Sequence, residues 1–595
     1  RERIKIMTDF EKTYQNYNPR AAALAEARAL LTEAAKAAMA DGTLPEAELP
    51  AFIVEIPADT KNGDIASNLA MAGARTWRKA PKMIADALLA HLPSIEHSVF
   101  AKVEVAGPGF INLFLAPSFW AGVVLGACSN KEYGRTDHGK GAKYNVEFVS
   151  ANPTGPMHMG NARGGALGDC LAAVLDWSGY DVTREFYIND AGNQIDKFAL
   201  SLDIRYQQLF SGDKAPSLPE DSYHGADIKE RAEEFAKQYG DSYMEKSEEQ
   251  RRKALVDFAL PKNIQNMKDN LAKYRIKYDT WFHESVLHKG AVDDVIKILT
   301  DNGMTYEKDG ALWYKNIEMQ TKLLKKAGKT KEQIDRLELK DDVLIRQNGN
   351  PTYFAADIAY HRNKLVDRGF DKAIDVWGAD HHGHVARLKG ALEAIGIDSS
   401  RLDVVLMQLV NLMKDGEPVR MSKRTGNAVT LVDLLDEVPI DAARFFFNMR
   451  EPGSTIDFDL GLAVKEDSQN PVYYCQYANA RICSILRKMK EEGIEPRDCT
   501  EEELMLLNAP EERELIRHLS ALTDEIITAA KDYDPARITR YAVTLATLFH
   551  KFYNACRVGV DDEKLRAARL YLCCRVKDVM GIILTEFKIT VPESM

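Results

Sequence analysis

Chemistry enters this chain at the loop Asn152-Pro153-Thr154-Gly155-Pro156, which leads into His158 and Gly160. Pro and Gly at that density force a loop. Before it, the apolar residues Val146 and Phe148 alternate with polar ones, the mark of a short strand. Beyond it, the small-residue run Ala162 to Ala173 predicts a helix, and Asp181 to Ile188 predicts a second strand. Strand, loop, helix, strand is a βαβ unit with a right-handed crossover. The loop then lies at a strand's carboxyl end and a helix's amino end. Free backbone N–H groups and the helix dipole there favour an anion such as phosphate. His158 stands where its imidazole touches that anion, and Gly160 lets the backbone come close.

A second loop of the same kind follows Ile374 and Val376. Gly378 to Gly383 holds His381 and His382, with His384 just beyond, and Val385 to Ile395 predicts a helix stopped by Gly396. Neighbouring histidines in one loop, with no cysteine pair nearby, suit a tetrahedral metal site poorly. Ligand lining suits them better, because open α/β sheets bind ligands beyond the carboxyl ends of their strands. A third loop, VRMSKRTGN from Val419 to Asn427, places Arg420, Lys423 and Arg424 between Gly416 and Gly426. Charged loops are usually just solvated. This one falls between the apolar stretch Leu402 to Met413, read as a buried strand, and a helix capped by Thr430. That places it near the same ligand edge.

The elements that carry these loops are set in a chain of 595 residues, too long for one core, so three or four domains are expected. Composition is that of a globular protein, 45% hydrophobic and 28% charged. A formal net charge of −11 excludes a protein that coats nucleic acid by bulk charge, but not one that meets it on a local basic face. No apolar run has membrane-span length, and the opening RERIKIMTDF lacks a signal-peptide core. Eight cysteines, none in a Cys-x-x-Cys pair, suggest reduced thiols and a cytosolic protein.

Residues 11–42 read as helix, Phe52 to Pro57 as strand, and Val103 to Ala106 with Phe110 to Phe114 as a hairpin around Gly107-Pro108-Gly109. So 1–115 reads as a small α+β domain, either a stabilising cap or a substrate-recruiting module. Residues 197–340 are polar and helix-rich and read as an insertion into the sheet, with Trp281 and Trp313 in its own small core. From Asp441 onward the pattern is that of a helix bundle. On its second helix Arg481, Arg487, Lys488 and Lys490 follow Tyr473, Tyr474 and Tyr477. Cations interleaved with aromatics suit an RNA face, and a core stripe with a solvated face explains them as well.

GPMHMGN resembles the HIGH signature of the class I aminoacyl-tRNA synthetases, and VRMSKR resembles their KMSKS loop. The strings EFVSANPTGPMHMGNARG, YINDAGNQI, PTYFAADIAYH, WGADHHGHV, DAARFFF and NPVYYCQYANAR are closer still to the arginyl-tRNA synthetases. The resemblance spans essentially the whole chain and implies an α/β protein. Its catalytic domain is a Rossmann-like parallel sheet with an insertion, flanked by an N-terminal α+β domain and a C-terminal all-α bundle. The expected divisions are an N-terminal tRNA-binding domain at 1–125, a catalytic domain at 126–465 with the insertion at about 198–340, and a helical anticodon-binding domain at 466–595.

The resemblance implies ATP-dependent attachment of L-arginine to its tRNA through an arginyl-adenylate. ATP would bring Mg2+ with it; no zinc and no membrane are expected, and the chain is expected to be a cytoplasmic monomer. The HIGH-like motif runs through Ala151, Asn152, Pro153, Thr154, Gly155, Pro156, Met157, His158, Met159, Gly160 and Asn161. It departs from the family where Asn161 replaces the second His, and Arg420 replaces the first Lys of KMSKS. His158, Asn161, Lys423 and Arg420 are the implied catalytic set. His158, Gly160, Asn161, His384, Met421, Ser422 and Lys423 are implied for ATP. A guanidinium is planar, charged and rich in donors, so its site needs acceptors and anions. Glu147, Asn152, Tyr353 and Asp357 match the family's arginine-contacting positions, with Asp380 and His381 in the same pocket.

Overall fold

The computed structural model describes residues 18–129, 132–419 and 429–595. Its centre is a five-stranded sheet. In spatial order the strands are Leu402–Met407, Lys372–Gly378, Lys143–Glu147, Asp181–Ile188 and Thr280–His283, every neighbouring pair parallel. Counted along the chain this order is 5-4-1-2-3. The direction of winding therefore reverses between Lys143–Glu147 and Lys372–Gly378. A doubly wound sheet opens a ligand crevice at such a switch point.

The long helix Met159–Trp177 packs on one face of the sheet. Its small residues let it come close. A Cβ on Gly168 would lie 2.1 Å from a ring carbon of Phe148, so only glycine permits this approach. On the other face lies Tyr353–Arg362, continued by a π-helical turn Asn363–Asp367. The predicted βαβ unit is present, with the strand Asp181–Ile188 where the pattern put it.

Two readings are corrected. The stretch taken as a pure insertion contains Thr280–His283, the edge strand of the main sheet. Trp281 accordingly stacks on Phe186 of that sheet, ring centres 4.7 Å apart, rather than in an insertion core. A four-residue strand among helices leaves no periodicity to read. Trp313 does sit in the inserted three-stranded antiparallel sheet. Second, Leu402 to Met413 is two strands. The chain leaves the main sheet at Leu409, which is 74% exposed, and Val410–Lys414 joins Glu417–Pro418 and Ile456–Asp459 in a separate sheet. Composition alone hides such a break.

The N-terminal part has the helix Pro19–Ala40 and a four-stranded sheet that includes the predicted hairpin, Ala106 opposite Phe110. The carboxyl-terminal part is helical: Pro471–Glu491, Pro510–Leu519, Leu522–Asp532, Ala536–Ala555 and Glu563–Glu586. No helix among the described residues is long and apolar enough to cross a membrane.

Candidate active site

The strand Lys143–Glu147 ends in strained backbone. Val149 (φ 71°) and Ser150 (φ 40°) both occupy the left-handed region, which costs a β-branched residue most. The strain is held in place by hydrogen bonds. Ser150 Oγ donates to Glu147 Oε1 (2.8 Å) and accepts from the Tyr187 N–H (3.1 Å), tying the ends of two strands together. The loop then runs through exposed Asn152 and buried Thr154 and Met157 to His158.

His158 is the N-cap of Met159–Trp177. Its Nδ1 accepts from the Gly160 N–H (3.2 Å), so the ring proton sits on Nε2, pointed away from the helix. Desolvation by the surrounding chain keeps its pKa below the ordinary imidazole value, which favours the neutral ring. A neutral imidazole with an outward N–H is a phosphate donor. Asn161 serves the helix: its Oδ1 accepts from the His158 backbone N–H (2.9 Å), closing a capping box. Arg420, Met421, Ser422 and Lys423 lie outside the described residues. The described chain beyond them returns to this loop, where Thr430 bridges His158 and the Leu431 N–H donates to Met157 O (2.9 Å). Thr430 caps the helix Leu431–Glu437, as its sequence predicts.

A group of acidic residues lies beside this loop. Tyr187, near the end of its strand, has its pKa raised first by burial and then by the negative charges of Glu284, Asp357 and Glu147. Glu284 is 5% exposed; its carboxyl is raised by burial and held by His288 Nε2 (3.1 Å) and the Asn189 amide (3.0 Å). Asp357 Oδ2 is 2.6 Å from His384 Nε2. His384 packs between Trp377 and Phe354 and meets Arg387, which in turn binds Asp342. Tyr353 opens the helix that carries Asp357 and is 53% exposed.

Of the residues predicted for arginine, Glu147 and Asp357 both bear electrostatically on Tyr187, with Tyr353 on the same helix as Asp357. Asp380 and His381 are brought less far in: their side chains stand in solvent at the rim. His384, assigned to ATP, is here the partner of Asp357. Glu284 and Tyr187 were not singled out from the sequence. Tyr187 lies inside the string YINDAGNQI, but Glu284 follows the four-residue strand that periodicity missed.

Glu147 is 6% exposed and belongs to a row of acids. It pairs in register with Asp375 on one side and Glu185 on the other. Lys364 Nζ bonds Glu147 Oε2 and lies 2.9 Å from Asp375 Oδ1. His361 Nε2 is 2.7 Å from Asp375 Oδ2. Arg368 takes both oxygens of Glu185, and the Tyr360 hydroxyl donates to one of them.

On the helical domain, Tyr473, Tyr474, Tyr477, His550 and Asn554 line a cavity of about 450 Å³ with Glu466, Asp467 and Ser468. Tyr477 stacks on His550, and Arg481 lies 4.8 Å over Tyr553 while bonding the Tyr477 hydroxyl. Lys490 is paired with Glu495, and Arg487 donates to the Glu593 carbonyl.

Three family models match the chain: "Arginyl tRNA synthetase N terminal domain" over 25–115, "tRNA synthetases class I (R), catalytic domain" over 124–457, and "DALR anticodon binding domain" over 475–595. The chain is 51% identical over 572 residues to the arginine–tRNA ligase of Caldanaerobacter subterraneus subsp. tengcongensis, covering 96% of this chain and 98% of that protein. It is 49% identical over 560 residues to the arginine–tRNA ligase of Acetivibrio thermocellus, covering 94% and 96%. Among solved structures, Thermus thermophilus arginyl-tRNA synthetase shares the fold, with a TM-score of 0.70 at 22% identity over 96% of this chain and 100% of that one.

Proposed function

The chain belongs to the arginyl-tRNA synthetases of class I, and from that premise we propose how its own residues divide the work. The reaction joins arginine to its tRNA at the expense of ATP. In it, arginine attacks the α-phosphate of ATP, pyrophosphate leaves, and the arginyl group passes from the adenylate to the terminal ribose of the tRNA. Negative charge gathers on phosphate oxygens in the transition state, so positioned donors matter more than a protein base. Nε2–H of His158 is one such donor, and the helix start at Gly160 supplies backbone N–H groups. Bound together with ATP, Mg2+ would neutralise charge on the phosphate oxygens. Lys423 and Arg420 are assigned to the phosphates from their motif; the return of Thr430 to His158, seven residues past Lys423, supports that assignment.

Arginine occupies the slot among Glu147, Glu284, Asp357 and Tyr187. The observation that carries this is that Glu284, Asp357 and Glu147 all act on the half-buried Tyr187 at the carboxyl end of the parallel sheet. A cation with several donors satisfies such a site, whereas an apolar side chain leaves its acids unpaired. Asn152 and Tyr353 border the slot, and Asp380, His381 and His384 form its outer rim. The Tyr473–Tyr477–His550 cavity is the platform for an unstacked tRNA base, since aromatic faces stack bases and Arg481 adds cationic attraction.

We divide the chain into a tRNA-binding domain at 1–125, a catalytic domain at 126–465 and an anticodon-binding domain at 466–595, in line with the matched models. It acts as a monomer, one chain carrying both the catalytic and the anticodon-binding parts. Its described cysteines are free thiols, which fits the cytoplasm. The testing experiment is ATP–pyrophosphate exchange with each amino acid in turn, run with and without tRNA. Exchange should depend on arginine. Exchange driven equally by an apolar amino acid overturns the slot assignment.

A further inference from the structure

Asp375, Glu147 and Glu185 sit opposite one another on three adjacent parallel strands, with exposures of 0%, 6% and 0%. Residues in register project from the same face of a sheet. Three neighbouring carboxylates in a dry interior are intolerable without counter-charge. The counter-charges come from one segment. His361, Lys364 and Arg368 follow one another at i, i+3 and i+7, a single helical face, across a π-helical turn of the kind found at functional sites. Lys364 is 0% exposed and also lies 4.2 Å from the Tyr360 ring centre.

The three acids differ in what they face. Asp375 and Glu185 are closed in by His361, Lys364, Arg368 and Tyr360. Glu147 ends its strand beside the slot, with Lys364 on one oxygen and the Ser150 hydroxyl on the other. We propose that Lys364 is a positioning residue for arginine recognition: without touching the substrate, it fixes the orientation and charge of the Glu147 carboxylate that does. This rests on the assignment of Glu147 to arginine.

The charge balance gives the proposal a distinctive signature. Burial raises the Glu147 carboxyl, and Lys364 is the largest influence pulling it down. Asp375, gripped by Lys364 and His361 against the effect of burial, is held at about 2. Without Lys364, Glu147 would face the anions of Asp375 and Glu185. Among the described residues His361 and Arg368 would remain as nearby cations, with the hydroxyls of Tyr187, Tyr278 and Tyr360 around it. Its pKa would then climb further, and a protonated carboxyl does not attract a cation. Arginine binding in such a variant improves as rising pH ionises Glu147.

The experiment is arginine-dependent pyrophosphate exchange with tRNA present, comparing wild type, Lys364→Met, Glu147→Gln and the double variant at about pH 6.5 and 8.5. In Lys364→Met the arginine KM should rise by on the order of tenfold or more at the lower pH and less at the higher, while the ATP KM stays within about twofold. In the Glu147→Gln background, Lys364→Met should change the arginine KM no further, because its target is already gone. An unchanged arginine KM, equal losses for arginine and ATP, or additive losses in the double variant would each overturn the proposal. If Lys364→Met alone does not fold, the double variant against Glu147→Gln decides it. Wild-type exchange that ignores arginine overturns the functional reading and this proposal with it.

Discussion

In the proposed site Asp357 offers its carboxylate to two partners, a resident imidazole and the arriving guanidinium. His384 Nε2 already lies 2.6 Å from Oδ2, which fixes the side chain without saturating a group that has about four lone-pair sites. Asp357→Asn keeps the shape and removes the charge. A charged hydrogen bond in a shielded site contributes about 1.5–3 kcal/mol, so the arginine KM should rise by about ten- to a hundredfold. The ATP KM should move by less than about twofold. Steady-state exchange at varied arginine and varied ATP separates the two; equal losses would remove Asp357 from the guanidinium. This residue was legible in the sequence because PTYFAADIAYH spaces Tyr353 and Asp357 one helical turn apart. His158 was legible because loop-breaking residues crowd before it. Lys364 and Glu284 were not. The first acquires its role only when two strands come into register beneath it. The second follows a strand too short to announce itself.

At the scale of elements, the site depends on how closely the helix Met159–Trp177 lies on the first strand. Gly168 decides that distance, since its missing Cβ would meet Phe148 at 2.1 Å. Gly168→Ala gains about 0.5–1 kcal/mol of helix propensity but forces overlap that costs about 1–3 kcal/mol, so the clash wins. Phe148 directly follows Glu147, so relief of the clash moves the proposed arginine slot. The expected outcome is a lower melting temperature together with a raised arginine KM; a stabilised variant would show that the helix slides freely. Helix and strand were both readable from pattern, because one is rich in small residues and the other alternates. The exit of the chain from the sheet at Leu409 was not. An apolar run reads the same whether it forms one strand or two, and only the pairing of its two halves in different sheets, with Leu409 exposed between them, tells them apart.

At the scale of the whole molecule, one buried carboxylate ties the catalytic helix to the helical domain. Asp169 lies midway along Met159–Trp177 and is met by Arg444 (2.5 Å), Lys588 (2.7 Å) and Arg184 (3.3 Å). Burial alone would raise the Asp169 carboxyl, but these three cations hold it below its ordinary value. Arg444 also donates to the Phe587 and Tyr274 carbonyls, and Asn479 and Gln476 of the tyrosine-bearing helix bond the chain at Pro592 and Thr590. The segment around Lys588 thus runs from the helix that starts at His158 to the helix that carries Tyr477. Asp169→Asn leaves Arg444, which is 0% exposed, without an anion. Orphaning one member of a buried pair costs about 3–5 kcal/mol. Asp176, on the same helix, pairs with Arg135 at 2.7 Å, but both side chains are partly in solvent. Asp176→Asn should therefore cost less than about 1 kcal/mol. Thermal unfolding of the two variants, read with tRNA binding, tests the distinction. Asp169→Asn should lower the melting temperature and weaken both tRNA binding and exchange, whereas Asp176→Asn should leave all three near wild type. Equal behaviour of the two variants would mean that the domains are held together by their apolar packing, and that the carboxylate at the centre of the cluster is only solvated by its neighbours.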